Sequence, residues 1–216
     1  MSDSLATLID KVQGILGDTA GTYFSDALCT AALRQALCEW NMRAPQFLAV
    51  TITGVNNQYE YELSDEDTDA LEINDVLRQG DDNNEIDVSI DYDAYIEDER
   101  VFFRLRRPVT TAETLIVRYT KEHTINGLDS AAESTLPNRY DQAMVNGCAF
   151  FCIFIRAVAR VETINLSQDQ SDNYRELAPT FGAYFAGRMA QAAKRKAPVS
   201  EPDQRVWKDQ WQGWDV

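Results

Sequence analysis

Ala143-Met144-Val145-Asn146-Gly147-Cys148-Ala149-Phe150-Phe151-Cys152-Ile153-Phe154-Ile155-Arg156-Ala157-Val158-Ala159 is apolar on nearly every side, interrupted only by Asn146, Gly147 and Arg156. A helix without a polar face has to be surrounded by protein, so this stretch predicts the central helix of a helical core, opening after Pro137. Its longest unbroken apolar run, Gly147 to Ile155, falls far short of the ~20 residues that span a bilayer.

The neighbouring stretches supply its partners. Downstream, Ser167 followed by Gln170 has capping-box spacing and opens a last long helix. Tyr174, Leu177, Ala178, Phe181, Tyr184, Phe185 and Met189 mark its expected buried face. Pro179 falls inside that pattern and predicts a kink, and Lys194-Arg195-Lys196 close the helix with charge suited to a C-terminus. At the other end of the chain, Leu5, Leu8, Ile9, Val12, Ile15 and Leu16 follow one helix face, with Gly17 placed for a left-handed C-cap. A second helix should open at Ser25, with Phe24 as a staple and Asp26 in the first turn. Leu28, Ala31, Ala32, Gln35, Ala36 and Trp40 carry it to about Arg43, and Pro45 ends it.

Between the helical ends the period changes to two. Tyr59, Tyr61 and Leu63 alternate with Glu60 and Glu62, and Ile86, Val88 and Ile90 alternate with polar residues after the turn Gly80-Asp81-Asp82-Asn83-Asn84. Val101, Phe103 and Leu105 form a further set, as do Leu115, Val117 and Tyr119. These strands, from about Phe47 to Thr120, read as one antiparallel sheet with one wet face. The expected fold is α+β. A helical hairpin (residues 1–45) and two long helices (126–196) form a bundle, with an antiparallel β insertion at 46–125 and an extended C-terminal arm at 197–216. At 216 residues the chain makes one domain or two small ones, and can bury a core without disulfides or metals. No basic segment followed by an apolar run stands at Met1-Ser2-Asp3-Ser4, so the expectation is a soluble protein made and kept in the cytoplasm, with no membrane partner.

Charge is unevenly spread. The formal net charge is −15, and residues 55–99 hold 17 acidic residues against one basic residue, Arg78, which is −16. Such a segment repels nucleic-acid backbones. It reads either as a solvated face or as a functional one, a negative wall or a surface matched to a basic partner.

Chemistry is sparse. His123, the only histidine, follows the last strand and is expected in an exposed loop. Cys29, Cys38, Cys148 and Cys152 contain no Cys-x-x-Cys pair, and are expected reduced and buried as small hydrophobes. Asp65, Asp67 and Asp69 begin like an EF-hand loop, but Ala70 stands where the turn needs glycine and Val76 where the bidentate glutamate belongs. No Gly-x-Ser-x-Gly elbow, Gly-x-x-x-x-Gly-Lys loop or Gly-x-Gly-x-x-Gly fingerprint occurs, and nothing singles out two carboxylates for glycoside hydrolysis. The reading is of a protein that is no enzyme and has no cofactor or metal.

The last twenty residues differ from the rest. Pro198 and Pro202 break helix, yet Trp207, Trp211 and Trp214 stand at i, i+4, i+7. Large apolar surface at a chain end calls for a cover, either the chain's own domain or another protein.

Three groups of residues in this order resemble the head-to-tail adaptor (connector) proteins of tailed bacteriophages. One is Ile15-Leu16-Gly17-Asp18 with Tyr23-Phe24-Ser25-Asp26, leading into Leu33-Arg34-Gln35-Ala36-Leu37-Cys38-Glu39-Trp40. Another is Val101-Phe102-Phe103-Arg104-Leu105 before Pro108, with Leu115-Ile116-Val117-Arg118-Tyr119. The last is Leu136-Pro137-Asn138-Arg139-Tyr140 before the small-residue helix around Ala143 and Gly147. The resemblance implies a virion protein of the neck that forms a ring, usually a dodecamer, below the portal. Its partners would be further copies of itself, the portal protein and the tail or next neck protein, with DNA passing through unread. It also implies that the arm grips the portal, with Trp207, Trp211, Trp214 and Val206 as anchors. Asp65, Asp67, Asp69, Asp81 and Asp82 are then candidates for a channel lining or an interface. The alternatives are another neck protein (head completion or tail terminator) or an acidic module for a basic protein or cation. The long acidic insertion departs from compact members of that family.

Overall fold

The computed structural model describes residues 3–63, 70–78, 88–97, 100–109, 113–160 and 168–196. Helices α1 (Leu5–Ile15) and α2 (Asp26–Arg43) come first. Strands β1 (Gln46–Thr53), β2 (Glu60–Glu62), β3 (Ala70–Arg78), β4 (Val88–Ser89), β5 (Tyr92–Glu97), β6 (Arg100–Leu105) and β7 (Thr114–Lys121) follow. Helices α3 (Asp141–Arg160) and α4 (Gln168–Lys196) complete the order, so the α+β reading stands.

The helix ends are where local chemistry predicts them. Ser4 and Ser25 are the N-caps, each hydroxyl accepting from the amide three residues on. Gly17 adopts φ +70° after α1, a conformation a Cβ disfavours, and the Asp18 amide then donates to the Gln13 carbonyl at 2.9 Å. The four helices share one core in which Leu8, Val12, Leu33, Trp40, Met144 and Cys148 are almost wholly removed from water. Each such Leu, Val or Met side chain contributes roughly 1.5–3 kcal/mol by burial. Trp40 sits at the middle, 4.8 Å centroid to centroid from Tyr140 and 6.1 Å from Phe185. α3 reaches α4 closely because Gly147 faces Phe185, where a Cβ would lie 2.7 Å from the ring.

The β region differs from expectation. The strands form two antiparallel sheets, not one: β1-β7-β3-β4 and β2-β6-β5. β3 escaped the sequence reading because its burial does not alternate: Ala70, Ile73, Val76 and Leu77 are buried, and its register against β7 shifts twice. The sheets share a second core containing Tyr61, Val76, Phe103, Leu115 and Val117, with the Tyr61 and Phe103 rings stacked at 5.4 Å. Tyr59, expected inside, precedes β2 and is exposed. Ile86, the turn at 80–84 and Ser167 lie outside the described residues.

Three further expectations are corrected. His123 is buried, 3% exposed, and not in a solvent loop. Its amide donates to Asn41 Oδ1 at 2.9 Å while Asn41 Nδ2 donates to its carbonyl at 3.2 Å, so the residue ties the end of α2 to the chain leaving β7. Cys38 is exposed, because α2 turns it away from the face carrying Cys29. On α4, Phe185 and Met189 are buried and Tyr174, Ala178 and Phe181 pack against the core, but Leu177 and Tyr184 are exposed. Pro179 lies within α4, which continues on both sides of it.

Candidate functional site

Neither expected site falls within the described residues: Asp65, Asp67, Asp69, Asp81 and Asp82, and Val206, Trp207, Trp211 and Trp214, all lie outside them. Of the 17 acidic residues in 55–99, ten lie outside as well (Asp65, Glu66, Asp67, Asp69, Asp81, Asp82, Glu85, Asp87, Asp98 and Glu99), leaving 17 − 10 = 7 to place.

Five of those seven face cations, while Glu72 stands opposite Thr120. In the three-stranded sheet β6 runs between the acidic strands β2 and β5, and in the other sheet β7 has acidic β3 on one side. Arg104 of β6 stands opposite Glu60 of β2 and Asp93 of β5, and Arg100 is opposite Glu97. Arg118 of β7 is paired in register with Asp75 of β3. Arg100 donates to Glu62 at 3.0 Å, and Arg106 lies 3.6 Å from Asp93. Exposed pairs of this kind contribute little each, ~1 kcal/mol or less, but opposite charges across a sheet favour one register over another. Five of the seven described acids are thus set against arginines within the sheets.

A cleft of about 400 Å³ opens where the sheets meet, lined by Arg78, Ser89, Ile90, Asp91, Arg106 and Arg107. Arg78 bridges to Glu113 at 3.0 Å.

The helical side carries the larger concavity. An apolar groove of about 580 Å³ runs between α3 and α4, floored by Phe150, Phe151 and Met189 and walled by Gly182, Ala183 and Ala186. Gly182 brings the α4 backbone against the Phe150 ring, where an added Cβ would come within 3.0 Å. The Phe150 ring stacks on Phe154, which is 57% exposed, so the apolar strip continues beyond the groove. Glu39 and Arg43 of α2 stand at the rim.

The structure brings Cys29 to Cys148 and Cys152, which their spacing already sets one helical turn apart. All three are fully buried; Cys152 Sγ donates to Cys29 Sγ at 3.8 Å and Cys148 Sγ to the Cys29 carbonyl at 3.3 Å. Hydrogen bonds with Cys152 and Cys29, with burial added, push the Cys148 thiol up, which disfavours the reactive thiolate. Among the described residues no group of three or more His, Cys, Asp or Glu is placed to hold a metal ion, and no helix is long and apolar enough to cross a membrane.

The residue the sequence reading passed over is Asp18. Its buried carboxylate accepts from the amides of Thr22 at 3.1 Å, Tyr23 at 2.7 Å and Phe24 at 2.6 Å, closing the α1–α2 connection. An aspartate directly after a C-cap glycine and a few residues before a serine N-cap is the signal that could have found it.

A family model described as SU10 adaptor protein matches residues 3–206. No curated protein matches the chain. Solved structures match it, among them a chain of the neck of an empty GTA particle computed with C6 symmetry. That chain is 12% identical, with 74% of this chain and 79% of the other covered at a TM-score of 0.32, a superposition too loose to carry an argument.

Proposed function

Since this chain belongs to the SU10 adaptor protein family, we propose that it is a structural protein of the virion neck: a ring-forming adaptor seated below the portal, around the channel through which DNA leaves the head. The observation that carries this reading is the family match across almost the whole chain, which bears out the resemblance seen in the sequence. On this reading the subunit's partners are further copies of itself, a dodecamer being the expected ring, the portal protein, and the tail or next neck protein. DNA passes through unread. The protein needs no turnover and no cofactor to do this.

Two expectations extend the proposal. The arm at 197–216 grips the portal through Val206, Trp207, Trp211 and Trp214, since clustered tryptophans are effective anchors when fully desolvated. The acids Asp65, Asp67, Asp69, Asp81 and Asp82 face the channel or a subunit interface, where negative charge keeps DNA from sticking. Deleting residues 197–216 should abolish attachment to portal-bearing heads, measured by co-sedimentation. Undiminished co-sedimentation refutes the arm's role. Neutralising the five aspartates to asparagine should slow genome ejection, and an unchanged ejection rate refutes the lining.

A further inference from the structure

We propose that in the free subunit the groove between α3 and α4 is the seat of the chain's own C-terminal tail, which lays Trp207, Trp211 and Trp214 against Phe150, Phe151 and Met189. The inference concerns the chain before assembly, and holds whether or not the arm later grips a portal.

The first ground is reach. α4 walls the groove and ends at Lys196, leaving twenty residues beyond it. From Lys196 back to Phe185 is eleven residues, about 16 Å of helix at ~1.5 Å per residue. The ten residues 197–206 extend to about 33 Å at most, so Trp207 reaches the groove with slack to turn back.

The second is complementarity of size and surface. Residues 207–214, as a helix, are about 12 Å long, and Gly182 to Met189 along α4 is about 10 Å. Three tryptophans at i, i+4, i+7 make one apolar stripe, each indole burying ~150–250 Å². The groove has a phenylalanine and methionine floor and small residues along its wall, which admits such rings. Glu39 and Arg43 at the rim match a segment that carries both signs around the stripe, Arg205 and Lys208 against Asp203 and Asp209.

The third concerns the groove as an apolar surface. Occupying it hides the phenylalanines and the indoles together, which keeps free subunits from associating through either.

The test is tryptophan emission and acrylamide quenching of the free full-length protein. Trp40 is wholly buried, and the triple variant Trp207→Phe, Trp211→Phe, Trp214→Phe isolates its signal as the baseline. The tail indoles should emit toward the blue and quench weakly. Ala183→Arg with Ala186→Arg, both at exposed α4 positions, should shift emission to the red and raise quenching severalfold with far-UV circular dichroism unchanged. Tail indoles that already quench like free tryptophan, or that ignore the arginines, overturn the proposal. Protection that disappears on dilution also overturns it, because the occupant is then another copy's tail. Should the arginine variant fail to fold, tryptic cleavage after Lys208 decides. It should be severalfold slower in the wild-type protein than in a peptide of residues 203–216, and equal rates overturn the proposal.

Discussion

Asp18→Ala removes the acceptor that three amides share. Phe24 is buried, so its amide, bonded at 2.6 Å, has no water to turn to and loses about 2–3 kcal/mol. Thr22 and Tyr23 are exposed, and their amides recover part of the loss from solvent, at about 1 kcal/mol each. The total is about 4–5 kcal/mol. At ~2–4 °C per kcal/mol for a chain of this size, Tm should fall by about 8–20 °C. Asp18→Asn separates geometry from charge. Tyr23 and Phe24 both bond Oδ2 and Thr22 bonds Oδ1, so an asparagine oriented to keep its oxygen on the first two loses only Thr22. It should cost about 1–2 kcal/mol. The assay is urea unfolding followed by circular dichroism, with Asp10→Asn on the exposed face of α1 as control. An Asp18→Ala variant within about 0.5 kcal/mol of that control, the range of ordinary surface substitutions, refutes the reasoning.

Other consequences are as direct. Native protein should react quickly with a thiol reagent at one cysteine, Cys38, and at all four once unfolded; a second fast thiol contradicts the buried cluster of Cys29, Cys148 and Cys152. Gly147→Val forces a branched side chain toward the Phe185 ring and should cost about 1–3 kcal/mol in unfolding experiments, whereas a neutral result means α3 and α4 are not so close. The hydrogen bond from Arg34, and its charge, hold the Asp129 carboxyl below the ordinary range. Because the folded-state value is depressed, the pair stabilises above the ordinary aspartate range and loses that effect as pH falls through the depressed value. The Tm difference between wild type and Asp129→Asn should therefore be present at neutral pH, small because the pair is exposed, and vanish in strong acid.

The helices were legible because their signals are local. Ser25 and Asp26, Gly17, and the apolar sweep of residues 143–159 each state a boundary or a face within one or two turns. The sheets were legible only in part. Val101–Leu105 and Leu115–Tyr119 alternate cleanly, whereas Ala70–Arg78 is bulged, and bulges erase the period-two pattern that identifies a strand. That two sheets form instead of one depends on pairings far apart in sequence, such as Glu60 with Arg104. His123 misled because a lone polar residue after a strand reads as a loop, and the cover it receives from Asn41 is 82 residues away. The thiol cluster and the groove are equally non-local, since Cys29 meets Cys152 and Phe150 meets Gly182 only once α2, α3 and α4 pack. The expected anchors and channel acids were legible as composition, in segments whose spacing says what they carry and not where they sit.

The most direct test of the adaptor account is location. Antibody raised against this protein, revealed with gold by electron microscopy of a phage lysate, should label particles at the junction of head and tail. Unlabelled particles, with the protein free in the supernatant, would contradict it.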